Sequence, residues 1–491
     1  LKVALINPIP VISKSEQFYG QKWPPLGILL LGTILNEQGH QVYLLDQASS
    51  GLDFEQTLKW IKQKDPEIVG ITAMTVGFKS SVKLTEMIKQ WDPNLVTVLG
   101  HYHPTVCANK ILENYGQSVD YCVRGENEYI LSNLINFLEK HQETEPKEIL
   151  GLSYRHNDII KHNPNCPTNK NLDDLPFPDR SLLKNKYYQN LAGINLMNSK
   201  FATTFFTRGC PFNCSYCSVA SISNQQYRSK SPQRLVEEFS YLATEGYSEI
   251  AFVDDNFSIN LKKILEFCRL LRMENIDINW HVEMRVDGVS KELFGQLVQA
   301  GCKSVNFGIE SANPRILSYY NKKITPEQSI RAIAAARKAR IEFIIGLFMI
   351  GAPFETIDEC KNTINFALKS GVDFFFLNLV ETWPGIPMWN DLINKGLINE
   401  DKLWEHTTRV VDLTHSPQQI NLILDLIAQA YRDHISYKNL GWIIKLLLNM
   451  PRSAYKRKIA VDFMKNINSG MKTFVRLRNL RLTGFGKFKV D

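Results

Sequence analysis

Three cysteines, Cys210, Cys214 and Cys217, fall four and three residues apart in the stretch Cys-Pro-Phe-Asn-Cys-Ser-Tyr-Cys, directly after Thr207-Arg208-Gly209. Gly209 and Pro211 keep this stretch out of a regular helix, so it reads as a loop able to fold its thiols onto one point. Thiolate sulfur is a soft ligand, and three converging thiolates suit an iron–sulfur cluster or zinc. A structural zinc site takes a fourth protein ligand, usually from a second Cys or His pair at short spacing. The next cysteine is Cys268 and the next histidine His281, each alone. Three ligands and no fourth fit a 4Fe-4S cube with one iron left open to another molecule.

Such a loop has to be held by regular structure. From Ala202 to Leu392 apolar runs alternate with amphipathic stretches in six units. Thr203–Phe206 leads into the cysteine loop, and Glu249–Val253 ends in Asp254-Asp255-Asn256. Asp277–Glu283 is followed by Arg285, and Ser304–Phe307 by Gly308-Ile-Glu310-Ser311. Phe343–Met349 runs into Gly351, and Phe374–Leu379 into Trp383-Pro-Gly-Ile-Pro387. The polar groups gather at strand carboxyl ends, where barrels build their sites.

Residues 1–143 alternate in the same way and read as a doubly wound parallel sheet. Strands are expected at Val3–Ile6, Gln41–Leu45, Ile68–Thr72, Leu95–Leu99 and Tyr121–Val123, with helices at Gly27–Glu37, Phe54–Gln63, Val82–Trp91 and Glu128–His141. Between the fourth and fifth strands a loop is expected and no helix is assigned. Ligands of such sheets sit beyond the strand carboxyl ends. There lie Asn7-Pro8, Thr72–Thr75, Gly100-His-Tyr-His-Pro-Thr105 and Arg124-Gly-Glu-Asn-Glu128, with Pro24-Pro25-Leu26-Gly27 opening the first helix.

The CxxxCxxC spacing with Tyr216 before the last cysteine resembles the signature of radical S-adenosylmethionine (SAM) enzymes. That resemblance implies a partial (β/α)6 barrel, a 4Fe-4S cluster on Cys210, Cys214 and Cys217, and SAM chelated at the open iron. It further implies that Asp254, Asp255 and Asn256 lie near the SAM ammonium and sulfonium, and that Glu310 of Gly-x-Glu-Ser311 accepts from ribose. Tyr216 and the Phe348–Gly351 strand end would flank adenine, with Glu283 and Arg285 toward the SAM carboxylate or the substrate. The N-terminal domain resembles the cobalamin-binding domain joined to one large class of these enzymes, through its PPLG entry, His103-Pro104-Thr105 loop and Arg-Gly-Glu-x-Glu.

The implied cobalamin contacts are Asn7, Pro25, Leu26, Gly27, Thr72, Met74, Thr75, Gly100, His101, His103, Thr105, Arg124, Gly125 and Glu126. Two departures stand out. His101 replaces the second glycine of a Gly-Gly-x-His loop, and no Asp-x-His-x-x-Gly motif offers the usual cobalt histidine. His101 or His103 is then either a contact to the ligand edge or backbone, the commoner use, or a cobalt ligand.

Composition fits a cytoplasmic enzyme. At 491 residues the chain exceeds one core. Hydrophobic and charged contents of 44% and 22% are ordinary for a globular chain. Nine mostly scattered cysteines make no disulfide framework. The opening Leu1-Lys-Val-Ala-Leu-Ile reads as a buried strand rather than a signal peptide. Four segments are expected: the cobalamin-binding domain at 1–143, a proline-stiffened connector at 144–200 with a small hairpin, the barrel at 201–395 and a helical, basic segment at 396–491. Residues 436–491 carry 13 Lys or Arg against 2 Asp. They fit a packed helical cap with a solvated basic face, or peripheral contact with an anionic membrane. No nucleic-acid fold signature is present.

Two cofactors imply a methyltransferase acting on an unactivated carbon of a natural product, lipid or peptide. The resemblance also implies an external electron donor of the flavodoxin or ferredoxin type. The related reading is an oxidative cyclase or ring-rearranging enzyme. A non-catalytic cobalamin or Fe-S sensor is the reading of another class. Acidic residues at the ends of three barrel strands speak against it.

Overall fold

The computed structural model describes residues 1–9, 23–140, 144–191, 194–195 and 199–435, together with Tyr455. Two largely parallel sheets carry the chain. In the first, β1 (Lys2–Asn7), β2 (Gln41–Asp46), β3 (Ile68–Thr72), β4 (Val96–Gly100) and β5 (Tyr121–Val123) run parallel in the order β2-β1-β3-β4-β5. Their near-continuous apolar runs follow from burial on both faces. Helices Leu26–Glu37 and Tyr129–Lys140 cover one side, and Phe54–Lys64, Phe78–Trp91 and Tyr102–Tyr115 the other. Strand order reverses between β1 and β3, which opens a crevice beyond their carboxyl ends.

The hairpin foreseen in the connector, β6 (Leu152–His156) with β7 (Ile159–His162), extends this sheet as its antiparallel edge. The loop expected after β4 is instead the start of a helix, Tyr102–Tyr115. Pro104 lies in its first turn, where backbone N–H groups have no helical acceptor anyway, so proline does not break it.

The second sheet holds six parallel strands in sequence order: β8 (Phe201–Thr204), β9 (Glu249–Phe252), β10 (Asn279–Met284), β11 (Cys302–Glu310), β12 (Phe343–Ile350) and β13 (Phe374–Leu379). It is an open partial barrel whose outer face is buried under helices. Inward residues alternate with buried ones: Leu347 and Met349 border the bore, whereas Phe348 is buried against Phe366 of helix Ile357–Lys369.

After the barrel the chain turns back onto the first sheet. Trp404 is buried in that domain's core, with its ring 5.7 Å from the His103 ring and 5.5 Å from Phe78. Lys79 and the Tyr115 hydroxyl both donate to Glu405 beside it. Helix Pro417–Ile435 packs on Ile357–Lys369, and the Leu377 N–H donates to the Tyr431 hydroxyl at 2.9 Å. The basic stretch 436–491 lies outside the described residues except Tyr455, which is buried beside His281 and Glu249. Among the described residues, no helix is long and apolar enough to cross a membrane.

Candidate active site

The cysteine loop is fastened to the next strand end. Asp254, just past β9, accepts from Phe206 N–H at 2.8 Å, Thr207 N–H at 3.0 Å and Thr207 Oγ1 at 2.8 Å. Burial nevertheless pushes its carboxyl up to about 7. Asp255 accepts from Gly209 N–H at 2.6 Å, and Asn256 Nδ2 lies 3.7 Å from Cys210 Sγ. Gly209 is obligatory: its φ is +75°, and a Cβ there would lie 2.0 Å from the Gln226 carbonyl oxygen. The far side of the loop is tied by Ser215, whose N–H donates to Tyr320 O at 3.0 Å and whose carbonyl accepts from Met388 N–H at 2.8 Å.

Cys214 is buried and Cys210 and Cys217 half-buried. Burial raises the Cys210 thiol and pushes Cys217 up to about 11. Among the described residues, no three His, Cys, Asp or Glu side chains could hold a single metal ion. Three soft donors on one tethered loop fit an iron–sulfur cluster by the chemistry of the donor set.

At the barrel mouth Glu310 ends β11 with φ +66°, where the register with β12 shifts. Its Oε1 accepts from Tyr216 Oη at 3.1 Å and from Lys322 Nζ at 2.8 Å. Lys322 was not foreseen from the sequence. The one signal was that a carboxylate closing a buried strand needs a cation, with Asn321-Lys322-Lys323 a dozen residues on. Arg285 pairs with Asp287 at 2.8 and 3.0 Å, donates to Lys322 O at 2.7 Å and lies 3.9 Å above the Phe212 ring of the cysteine loop.

Glu283 lines the bore, open to water yet ringed by protein, and accepts from Asn306 Nδ2 at 3.1 Å. Burial and the nearby Glu310 raise its carboxyl. Ser311 turns into the helix layer, sharing a hydrogen bond of 3.1 Å with Thr363. Gly351 N–H donates to Glu355 Oε2 at 2.7 Å, and a Cβ on Gly351 would lie 2.2 Å from Val411 Cγ1.

The crevice of the first sheet is a cavity of about 530 Å³. Of the fourteen contacts expected there, Asn7, Pro25, Leu26, Gly27, Thr72, Met74, Gly100, His101, Gly125 and Glu126 line it. The other four stand behind it. His103 is fully buried with Nδ1 3.1 Å from Thr75 Oγ1. Thr105 Oγ1 donates to His101 O at 2.7 Å and accepts from Gly125 N–H at 3.0 Å. Arg124 turns outward to Asn163 O and Asn165 Oδ1.

The cavity fits a large macrocycle with an amide rim. A Cβ on Gly27 or Gly125 would meet nothing within 4 Å, and one on Gly100 only Val123 Cβ at 3.9 Å, so the three glycines leave open a cradle that larger side chains would fill. Glu126 Oε1 is buried, with the Arg208 guanidinium 3.6 Å away and no closer hydrogen-bond donor among the described residues, and can accept from an amide.

Residues 204–367 match the Radical SAM superfamily and residues 18–135 the B12 binding domain. The chain is 34% identical to an uncharacterized methyltransferase, PH0819, of Pyrococcus horikoshii, over 86% of this chain and 91% of that one. The chain belongs to the cobalamin-binding radical SAM enzymes. It is also 28% identical to the anaerobic magnesium-protoporphyrin IX monomethyl ester cyclase of Cereibacter sphaeroides, over 75% of this chain and 60% of the cyclase. Its fold is similar to that of the cobalamin-dependent SAM radical enzyme OxsB, solved with aqua-cobalamin and SAM, with a TM-score of 0.67 at 17% identity over 96% of this chain and 72% of OxsB.

As a radical SAM enzyme with a B12 domain, the chain takes a 4Fe-4S cluster, SAM and cobalamin, and requires a reductant. The two cofactor regions meet at Arg208, two residues before Cys210. Its side chain lines the crevice cavity and pairs with Glu128 and, at 3.6 Å, with Glu126. Arg228 completes the network at 2.8 Å from Glu126. Neither arginine was singled out from the sequence, since an isolated Arg in a loop carries no periodic signal.

Proposed function

We propose that this enzyme is a C-methyltransferase acting on an unactivated carbon of a small molecule, lipid or peptide. The observation that carries the reading is the shared wall. Arg208 before the cysteine loop and Ile222 after it both line the cavity of the B12-binding domain, so one substrate can meet both cofactors. Cleavage of SAM at the cluster supplies a hydrogen-abstracting 5′-deoxyadenosyl radical, and cobalamin supplies a methyl group renewed from a second SAM.

The chain's own part is binding, orientation and exclusion of water. Cys210, Cys214 and Cys217 would hold the cluster. Asp254, Asp255 and Asn256 brace the loop that presents them and leave Asp255 open toward the SAM ammonium. Glu310, oriented by Lys322 and Tyr216, accepts from the ribose hydroxyls. Arg285 offers its guanidinium to the SAM carboxylate, and the Phe348–Gly351 strand end borders the adenine. Glu283 faces the bore, where the substrate enters. A flavodoxin- or ferredoxin-type protein delivers the electron.

Oxidative cyclisation is the second reading, favoured by the similarity to the magnesium-protoporphyrin ester cyclase. Product analysis separates the two. The anaerobically reconstituted enzyme, given SAM, a reductant and a metabolite extract, is expected to form 5′-deoxyadenosine and S-adenosylhomocysteine together. Substrate-dependent 5′-deoxyadenosine without S-adenosylhomocysteine would favour the cyclase.

A further inference from the structure

His101 has φ 91° and ψ −157°, a region that residues with a Cβ avoid. The backbone on either side is clamped there. Gly100 O accepts from Ala73 N–H at 2.8 Å, and His103 N–H donates to Ala73 O at 3.0 Å. Thr105 Oγ1 donates to His101 O at 2.7 Å and is itself held by Gly125 N–H at 3.0 Å. A strained conformation survives only where surrounding structure over-determines it, and such residues cluster at ligand sites.

The clamp puts His101 on the cavity wall just past the end of β4, between the ends of β3 at Thr72 and β5 at Val123, with Asn7 of β1 lining the same cavity. Its side chain is exposed to the cavity and makes no hydrogen bond to the described residues. His103 cannot share the task, because its ring is packed between Phe78 and Trp404. Neutral imidazole is a common metal ligand, and the cobalt of a corrin has open axial positions.

We infer that the His101 imidazole is an axial nitrogen ligand to the cobalt of the cobalamin held in this cavity. The inference rests on the cobalamin site described above.

The test is electron paramagnetic resonance of the full chain, labelled with [¹⁵N]histidine and loaded with hydroxocobalamin. The cobalt is reduced to Co(II) and the cluster left oxidised. One protein ¹⁵N ligand is expected to split each cobalt line into a doublet. His101→Gly, whose new residue adopts this backbone without strain, is expected to retain cobalamin by absorbance and lose the doublet. Unsplit lines, a triplet from the cofactor's own ¹⁴N base, or a doublet that persists in His101→Gly would each overturn the ligand assignment while leaving the cofactor site intact. Loss of hydroxocobalamin from the unmodified chain on desalting would overturn both.

Discussion

Lys322 Nζ lies 2.8 Å from Glu310 Oε1, and the Tyr216 hydroxyl closes the triangle at 3.0 Å from the lysine and 3.1 Å from the carboxylate. Both charged side chains are about nine-tenths buried, at 7% and 10% exposed. A buried carboxylate is tolerated because the ammonium and phenol satisfy it. The arrangement fixes the Glu310 carboxyl at the barrel mouth beside the cysteine loop.

Glu310→Gln is expected to weaken SAM binding about 10- to 100-fold, the value of a hydrogen bond to a charged acceptor. The cluster should remain, because no cysteine contact involves Glu310. Equilibrium dialysis with labelled SAM, alongside iron and sulfide analysis, measures both. An unchanged affinity would remove Glu310 from the SAM site.

Lys322→Met leaves the Glu310 carboxylate buried without its cation and is expected to cost about 3–5 kcal/mol of stability. Adding Glu310→Gln should restore much of that loss, since the stranded charge is gone. Urea unfolding of the two single variants and the double variant completes the cycle. Strict additivity would refute the coupling.

Arg208→Met strands Glu128 at the seam between the two sheets and leaves Glu126 with Arg228 as its cation. A stability loss of about 3 kcal/mol is expected for a largely buried network. Cobalamin retention should fall while the iron content holds, because Arg208 lines the cavity without ligating the cluster. Equal loss of both cofactors would mean that the network serves the cysteine loop instead.

Gly27→Leu fills the cradle from a position where a Cβ has room. Folding should be nearly unaffected, and cobalamin should no longer be retained after desalting. A variant that binds cobalamin as well as the natural chain would place the corrin elsewhere.

Glu355 is buried, and burial pushes its carboxyl up to about 7 although Gly351 N–H and Ala352 N–H donate to it. The folded chain therefore holds this proton more tightly than the unfolded chain, whose carboxyl titrates near 4.5. Its contribution to stability is complete below the unfolded value and is lost as pH rises through about 7. Glu355→Gln should flatten the fall of melting temperature across that interval. An unaltered slope would show that other groups govern it.

The strands of both sheets were legible in the sequence because their signal is local. Buried parallel strands repeat apolar residues, and Ile68–Thr72, Tyr121–Val123 and Phe374–Leu379 are found as expected. The helix after β4 was missed because His-Pro-Thr reads as a breaker, whereas proline in a first turn is harmless. The three cysteines were legible for another reason: their spacing within one loop leaves their ligand chemistry few alternatives.

What only the tertiary structure decided are the pairings between distant segments. His101 and His103 look equivalent in the sequence, yet a left-handed backbone sends one to the cavity while Trp404, three hundred residues on, seals the other into the core. Lys322 reaches Glu310 from a loop, and Arg208 reaches Glu126 and Glu128 from a two-residue strand, and neither stretch is long enough to carry periodicity. Local patterns record which face of a strand or helix is buried. Which loop then meets which is set by packing the two sheets against each other, and no stretch of chain shorter than that assembly contains it.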